Sequence, residues 1–156
     1  MDKDIDIKEI YKDAVNESTL FTETDIQNIL DASNSVKNEY LEGQTTESIA
    51  ELVNNSIKNL NLMDDVAFDY YYRLQNYRYI DGINDLHKGK HIRWIRNGKL
   101  TNGGILMNIK IKEDGILILC KNSLNKFMNY KWDNCVSYQK LSVEEQLILM
   151  ANDNIL

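Results

Sequence analysis

The fold class follows from one stretch of the sequence, residues 105–120, which are Ile105-Leu106-Met107-Asn108-Ile109-Lys110-Ile111-Lys112-Glu113-Asp114-Gly115-Ile116-Leu117-Ile118-Leu119-Cys120. From Ile105 to Lys112 alternate positions are apolar, which is the period of a half-buried strand. Asp114-Gly115 is a hairpin turn signal. The run that follows is apolar on both faces, as in a central strand. The stretch therefore predicts an antiparallel hairpin.

The sequence on either side of this hairpin also has strand character. Residues 91–96 predict a strand with Ile92 and Trp94 on one face. Residues 126–132 and 135–141 predict two more strands. Short strands at this spacing are typical of an antiparallel sheet of four or five strands, curled or closed into a small barrel.

The first half of the chain has helical spacing instead. Apolar residues predict a short helix over 5–14, a helix from the capping box at Thr24 to Gly43, a third over 49–60, and a fourth starting at Asp64. A second capping box at Ser142 opens a final helix. We therefore expect an α+β fold, in which an N-terminal helical bundle precedes a small antiparallel β-sheet or barrel and a C-terminal helix. Residues 1–80 form the predicted acidic helical region, and residues 86–156 the basic β region with its closing helix.

Charge is divided along the chain in the same way. Residues 1–70 contain 16 Asp and Glu against 5 Lys and Arg, residues 71–140 contain 13 Lys and Arg against 5 Asp and Glu, and the last 16 residues add three acids. The net charges of −11, +8 and −3 sum to −6. A polarised charge distribution bears on partners more than on fold. The densest basic stretch is residues 86–99, which we take as the candidate binding segment.

Five cations of this segment are the predicted contacts to a partner, namely Lys88, Lys90, Arg93, Arg96 and Lys99. If they line one sheet face beside Trp94, Tyr130, Trp132 and Tyr138, they suit a single-stranded nucleic acid. However, Trp94 alternates with Arg93 on the predicted strand, which favours a core position for Trp94. The alternative is that the cations pair with the acidic half of this chain or of a neighbouring copy.

A tyrosine cluster adds a second candidate contact. Tyr70, Tyr71, Leu74 and Tyr77 share one predicted helical face and are expected to pack in the core. Tyr72 and Tyr79 do not belong to that face. Exposed tyrosines are frequent in protein interfaces, so these two are candidate partner-binding residues.

No constellation of residues indicates catalysis. Two His and two Cys, His87, His91, Cys120 and Cys135, form a loosely spaced zinc alternative. The favoured interpretation is that both cysteines are small core residues and both histidines are solvated. No strained turn marks a cysteine nucleophile, and Gly98-Lys99 lacks the upstream glycine of a phosphate-binding loop. We therefore expect a protein that is not an enzyme and has no cofactor.

The sequence also predicts the cellular compartment of the protein. It has no apolar run near the length of a membrane span, and residues 1–6 lack the apolar segment of a signal peptide. We expect an intracellular protein that is not secreted, with free thiols.

The β half resembles known sequences in the order of four segments. These are His91-Ile92-Arg93-Trp94-Ile95, Leu100-Thr101-Asn102-Gly103-Gly104, the Asp114-Gly115 turn, and Tyr138-Gln139-Lys140-Leu141-Ser142. Over residues 86–150 this order resembles small uncharacterised proteins of the large nucleocytoplasmic DNA viruses. The resemblance implies a virion-associated or infection-stage accessory protein, in the host cytoplasm or the virion. It implies no catalytic residue.

Together these observations predict a non-enzymatic viral structural or accessory protein that acts by binding protein, either a partner or a second copy of itself. The alternative prediction is a nucleic-acid-binding module that uses the basic β half.

Overall fold

The computed structural model describes residues 27–28 and 36–155. The chain divides into two compact units. One unit is Glu51–Lys140, and the other contains the described residues on either side of it, 36–50 and 141–155. The division into an acidic region over residues 1–80 and a basic region over residues 86–156 stays a prediction.

The first unit is helical. A 3₁₀ helix spans Val36–Leu41, helix α1 (Thr46–Lys58) begins in this unit, and the last helix of the chain spans Val143–Ile155. Its core contains Leu41, Ile49, Leu141, Ile148 and Leu149. The Asp153 carboxylate accepts hydrogen bonds from Thr46 N at 2.8 Å and from Thr46 Oγ1 at 2.6 Å. A carboxylate at the N-terminus of α1 satisfies a free backbone donor there.

The predicted capping box at Ser142 is confirmed. Glu145 N donates to Ser142 Oγ at 3.1 Å, and Ser142 N donates to Glu145 Oε1 at 2.9 Å. Gly43 has a φ of +71°, as expected of a residue that ends a helix, but the segment before it is a 3₁₀ helix rather than the predicted α-helix. The predicted helix over 5–14 and the capping box at Thr24 lie outside the described residues.

The second unit contains helix α2 (Asp64–Arg73) and an antiparallel sheet of seven strands: β1 (Tyr77–Ile80), β2 (His91–Arg96), β3 (Lys99–Leu100), β4 (Gly104–Lys112), β5 (Gly115–Lys121), β6 (Phe127–Lys131) and β7 (Val136–Lys140). The strand order is β1-β7-β2-β4-β5-β6, and β3 pairs with β2. The last helix of the chain, Val143–Ile155, is α3. The fold is α+β, as predicted.

One face of the sheet encloses the main core. Ile92 and Trp94 of β2, Leu106 of β4, Ile118 of β5 and Tyr130 of β6 are all buried there. The opposite face is covered over β1, β7 and β2, where Val53, Ile57 and Leu74 pack against Ile95 and Tyr138. The Tyr138 hydroxyl lies 2.7 Å from Ser56 Oγ. Apolar packing and one buried hydrogen bond therefore hold α1 and α2 on the sheet.

Four features differ from the sequence expectations. The described strands do not close into a barrel, because β1 and β6 are the edges of the sheet. The sheet has seven strands rather than four or five. Strand β1 replaces the predicted end of α2, because Asn76 adopts a left-handed conformation with φ of +72° and turns the chain. A β-bulge between Leu106 and Asn108 interrupts the alternation in β4, so Ile105 and Ile109 lie on opposite faces.

A buried polar network attaches the loop before β2 to the sheet. The Gln139 side chain accepts from His87 N at 2.8 Å and donates to His87 O at 2.7 Å. The Arg78 guanidinium donates to Gln139 Oε1 at 3.2 Å and to the Asp85 carbonyl oxygen. Burial lowers the pKa of Arg78 to about 10. This cation of the basic half is therefore part of the interior.

None of the helices in the described part of the chain has the length and apolar character that crossing a bilayer requires.

Candidate interaction surface

The face of the sheet that the helices cover over β1, β7 and β2 has no covering helix over β4, β5 and β6 among the described residues. Strand pairing arranges nine side chains on it in three rows. The rows are Ile105–Lys121–Phe127, Asn108–Leu119–Asn129 and Lys110–Leu117–Lys131. We call these nine residues the lysine face.

The lysine face combines exposed apolar groups with positive charge. Phe127 is 63 % exposed and Ile105 is 38 % exposed, while Leu117 and Leu119 in the middle are half-buried. Lys110 and Lys131 are exposed, and Lys121 Nζ lies 5.9 Å from the Phe127 ring centroid. None of the nine residues is acidic. An apolar centre with a charged margin is the usual composition of a protein interface.

Strand β6 adds a backbone edge to this surface. In the described part of the chain β6 pairs only with β5. Asn122 N donates to Lys126 O at 2.9 Å, and bonded and non-bonded residue pairs alternate along an antiparallel ladder. The N–H and C=O groups of Phe127, Asn129 and Lys131 therefore point away from β5. The side chains of these three residues belong to the lysine face.

At the β2 end, the first row of the lysine face continues into a polar cluster. His91 pairs with Ile105, and the Tyr77 hydroxyl lies 2.9 Å from His91 Nδ1. Burial lowers the pKa of His91, and the positive charges of Arg93 and Lys140 lower it further. Burial raises the pKa of Tyr77. The lowered pKa favours the neutral form of His91, and the hydrogen bond to Tyr77 is compatible with either of its tautomers.

The five predicted cations do not line one face. Lys88 is exposed in the loop before β2, and Lys90 is half-buried with Nζ 3.1 Å from His87 Nδ1. Arg93 lies on the helix-covered side, where its Nε donates to Thr101 O at 2.8 Å. Arg96 and Lys99 form a cross-strand pair on the side of Trp94. In Glu51–Lys140, the unit that holds these cations, Lys88, Arg93, Arg96 and Lys99 form no ion pair with a carboxylate.

The predicted stacking residues are largely interior. Trp94 is 3 % exposed, and its ring stacks on Tyr130 at a centroid distance of 4.1 Å. Tyr138 is fully buried. The expectation that Trp94 is a core residue is confirmed. Of the two candidate tyrosines, Tyr72 is 55 % exposed on α2, whereas Tyr79 on β1 is half-buried against Tyr138, at a ring distance of 6.0 Å.

The two cysteines and two histidines of the zinc alternative do not come together as a ligand set. Among the described residues no three His, Cys, Asp or Glu side chains gather as a potential metal site, so His87, His91, Cys120 and Cys135 do not assemble the zinc alternative. Both cysteines are free thiols. Burial raises the pKa of Cys120 to about 12, so its thiol stays protonated and unreactive at neutral pH.

Comparisons with protein-family models, curated proteins and solved structures give no match to this chain. Function is therefore inferred from the residues of this chain alone.

The lysine face was not predicted from the sequence, because the linear density of positive charge is highest at residues 86–99, outside the face. The lysines of the face are separated along the chain, at positions 110, 121 and 131, and only the pairing of β4 with β5 and of β5 with β6 brings them together. Part of the face could have been predicted from the Asp114-Gly115 turn, because the register of this hairpin places Lys110 opposite Leu117.

Proposed function

We propose that this protein is a non-enzymatic protein-binding module, and that the lysine face with the β6 edge binds an acidic, extended segment of its partner. One observation carries the proposal: an apolar sheet face, bordered by lysines and without acids, lies beside a strand edge that pairs with no other strand in the described part of the chain. An added strand would bond to the outward backbone groups of β6. Acidic side chains on that strand would meet the lysines.

Self-association through two β6 edges is a less favourable use of the same surface. Each copy would bring the same lysines to the contact, and lysines on an edge strand oppose pairing between identical copies. An acidic partner removes this repulsion. The proposed partner is therefore a different protein segment, and a homodimer is an outcome that the experiment below detects.

The viral structural or accessory role belongs to this proposal as well. It is supported by the resemblance of residues 86–150 to proteins of the large nucleocytoplasmic DNA viruses. A binding module without a catalytic constellation is the kind of protein that such an accessory role requires.

The experiment uses a blocked seven-residue peptide in which glutamate alternates with valine, and the matching peptide with glutamine. Backbone amide resonances of the full chain are followed by NMR as each peptide is added. We expect the glutamate peptide to shift the amides of Phe127, Asn129 and Lys131, and added salt to weaken the effect. Shifts confined to other surfaces, an equal response to the glutamine peptide, or a dimer in light scattering that involves β6 would contradict the proposal.

Nucleic-acid binding remains the second candidate, because exposed Phe127 beside Lys121 is a small stacking site with a cation. The test is a single-stranded oligothymidine added to the same sample. Tight binding that falls steeply with salt, and that is abolished by the double change Lys121→Glu and Phe127→Ala, would replace the protein-binding proposal with this one.

A further inference from the structure

The β6 edge of the lysine face presents three different side chains in a fixed order. Phe127 is aromatic and 63 % exposed, Asn129 is an exposed amide, and Lys131 is an exposed cation. Because they are two residues apart, they lie on one face of the strand at intervals of about 7 Å. A strand added to β6 therefore meets an apolar group, a neutral polar group and a positive charge in succession.

The backbone of β6 fixes which residues of an added strand meet these three side chains. The N–H and C=O groups of Phe127, Asn129 and Lys131 point away from β5. In an antiparallel ladder each of the three would exchange both hydrogen bonds with one residue directly opposite. Residues directly opposite have Cβ atoms about 4.5–5.5 Å apart on the same face. The residues in between point to the other face of the sheet and do not contact the lysine face.

Positive charge along this edge is concentrated at Lys131. Lys121 pairs with Phe127 from β5, so it is one strand further from an added strand, at a distance of about 10 Å. The row beyond Lys131 carries an acid, because Asp133 Oδ2 lies 3.4 Å from the position that a Cβ on Gly115 would occupy. An acidic side chain of the added strand is therefore stabilised opposite Lys131, and is repelled one row further on.

The sheet also indicates the direction of the added strand. Every pairing between its described strands is antiparallel, and parallel pairing is slightly less stable per residue. In an antiparallel strand, the residue opposite Lys131 comes before the residue opposite Phe127 in the sequence.

We infer that the β6 edge selects a partner segment with an acidic, then a polar, then an apolar residue, each separated by one residue and read from the N-terminus. The acid lies opposite Lys131, the polar residue opposite Asn129, and the apolar or aromatic residue opposite Phe127. This inference rests on the proposed function, and it adds the order and the direction of the bound segment. Opposite charges and aromatic pairs across strands both stabilise a sheet. Lys131 and Phe127 therefore determine specificity, whereas Lys110 and Lys121 attract any acidic segment.

The test compares two blocked peptides of identical composition and charge, Thr-Glu-Thr-Asn-Thr-Phe-Thr and its reverse, Thr-Phe-Thr-Asn-Thr-Glu-Thr. Each is titrated into the full chain while the backbone amide resonances of β6 are followed by NMR. We expect the first peptide to bind about fivefold or more tightly, because only this order satisfies both cross-strand pairs in an antiparallel strand. Equal affinities would overturn the inference, and tighter binding of the reverse peptide would contradict the antiparallel direction.

Two single substitutions of exposed lysines then assign the preference to a residue. Lys131→Gln should reduce the difference between the two peptides to less than about twofold, because the cross-strand ion pair is lost. Lys110→Gln is the matched control, since Lys110 lies on β4, two strands from the β6 edge. It should weaken both peptides equally and leave their ratio unchanged. The same change of ratio in both variants would contradict the role of Lys131.

The outcomes separate this inference from the proposed function. Shifts of the β6 amides with the alternating glutamate peptide, together with equal affinities for the two ordered peptides, would leave the binding module in place and contradict the order. No response of the β6 amides to any of these peptides would contradict both.

Discussion

The two ends of the sheet differ in what covers the same face. Over β1, β7 and β2 the face is apolar and aromatic, and α1 and α2 pack on it, with Ile57, Leu74 and Tyr138 almost fully buried. Over β4, β5 and β6 the corresponding face has a leucine centre, three lysines and an exposed phenylalanine. The two ends therefore differ in composition, and the bulge in β4 lies at the second end. The covered end is held together by apolar burial, and the second end, which we call the open end, leaves Phe127 exposed.

The junction between these two ends gives the largest predicted effect. Gly103 lies in the connection that brings the chain from β3 into β4, and it has a φ of +73°. A Cβ at this position would overlap the carbonyl oxygen of Ile92. We expect Gly103→Ala to cost about 4 kcal/mol or more in unfolding free energy, because backbone atoms must move. Urea denaturation measures the change.

Gly89→Ala is the matched control for that substitution. Gly89 has a φ of +87°, and a Cβ there has open space around it. Gly89→Ala should lower the free energy of unfolding by only about 1 kcal/mol, because the left-handed conformation is the only obstacle there. Equal losses in the two variants would mean that the junction is not held by the contact with Ile92.

The comparison of the two ends can be tested by removing one apolar side chain from each. Ile57 is 1 % exposed under the covered end, and Phe127 is 63 % exposed on the open end. Ile57→Ala should destabilise the protein by about 3 kcal/mol through lost burial and a cavity. Phe127→Ala should change stability by less than about 0.5 kcal/mol and weaken peptide binding. A large loss of stability in Phe127→Ala would show that the open end is covered in solution.

The open end also depends on its hairpin. The loop is Glu113-Asp114, and Gly115 begins β5 with a φ of +136°, as the turn signal predicted. Gly115→Val should cost about 1–2 kcal/mol, because a β-branched residue resists this conformation. Thermal unfolding measures it, and an unchanged melting temperature would contradict the turn assignment.

The sequence predicted the features that depend on neighbouring residues, and it missed those that depend on strand pairing. The hairpin turn, strand β2 and the capping box at Ser142 depend on neighbouring residues, and their patterns were sufficient. The bulge in β4 was not visible in the alternation of Ile105, Met107 and Ile109, because it is set by pairing with β5. Strand β1 was missed for a similar reason, since it is stabilised by pairing with β7. The lysine face is likewise a product of register.

The smallest predicted effect is a pH dependence from His91 at the border of the two ends. Its pKa is lowered in the folded protein, by burial first and then by Arg93 and Lys140. The unfolded chain therefore binds the proton more readily. The contribution of His91 to the free energy of unfolding is fully present above the unfolded pKa of about 6.5. It is lost as the pH falls from there through the folded pKa. His91→Gln should reduce the slope of the unfolding free energy against pH, measured by urea titration at several pH values. An unchanged slope would mean that another group causes the pH dependence.

In the proposed function the open end of the sheet binds acidic partner segments locally, rather than through the net charge of the molecule. The most direct test compares two double charge reversals in titrations with the glutamate peptide. Lys110→Glu with Lys131→Glu changes the lysine face, and Lys58→Glu with Lys88→Glu changes exposed lysines elsewhere in the same unit. We expect about a tenfold or greater loss of affinity in the first variant and less than about a twofold change in the second. Equal losses in the two variants, or none in the first, would contradict it.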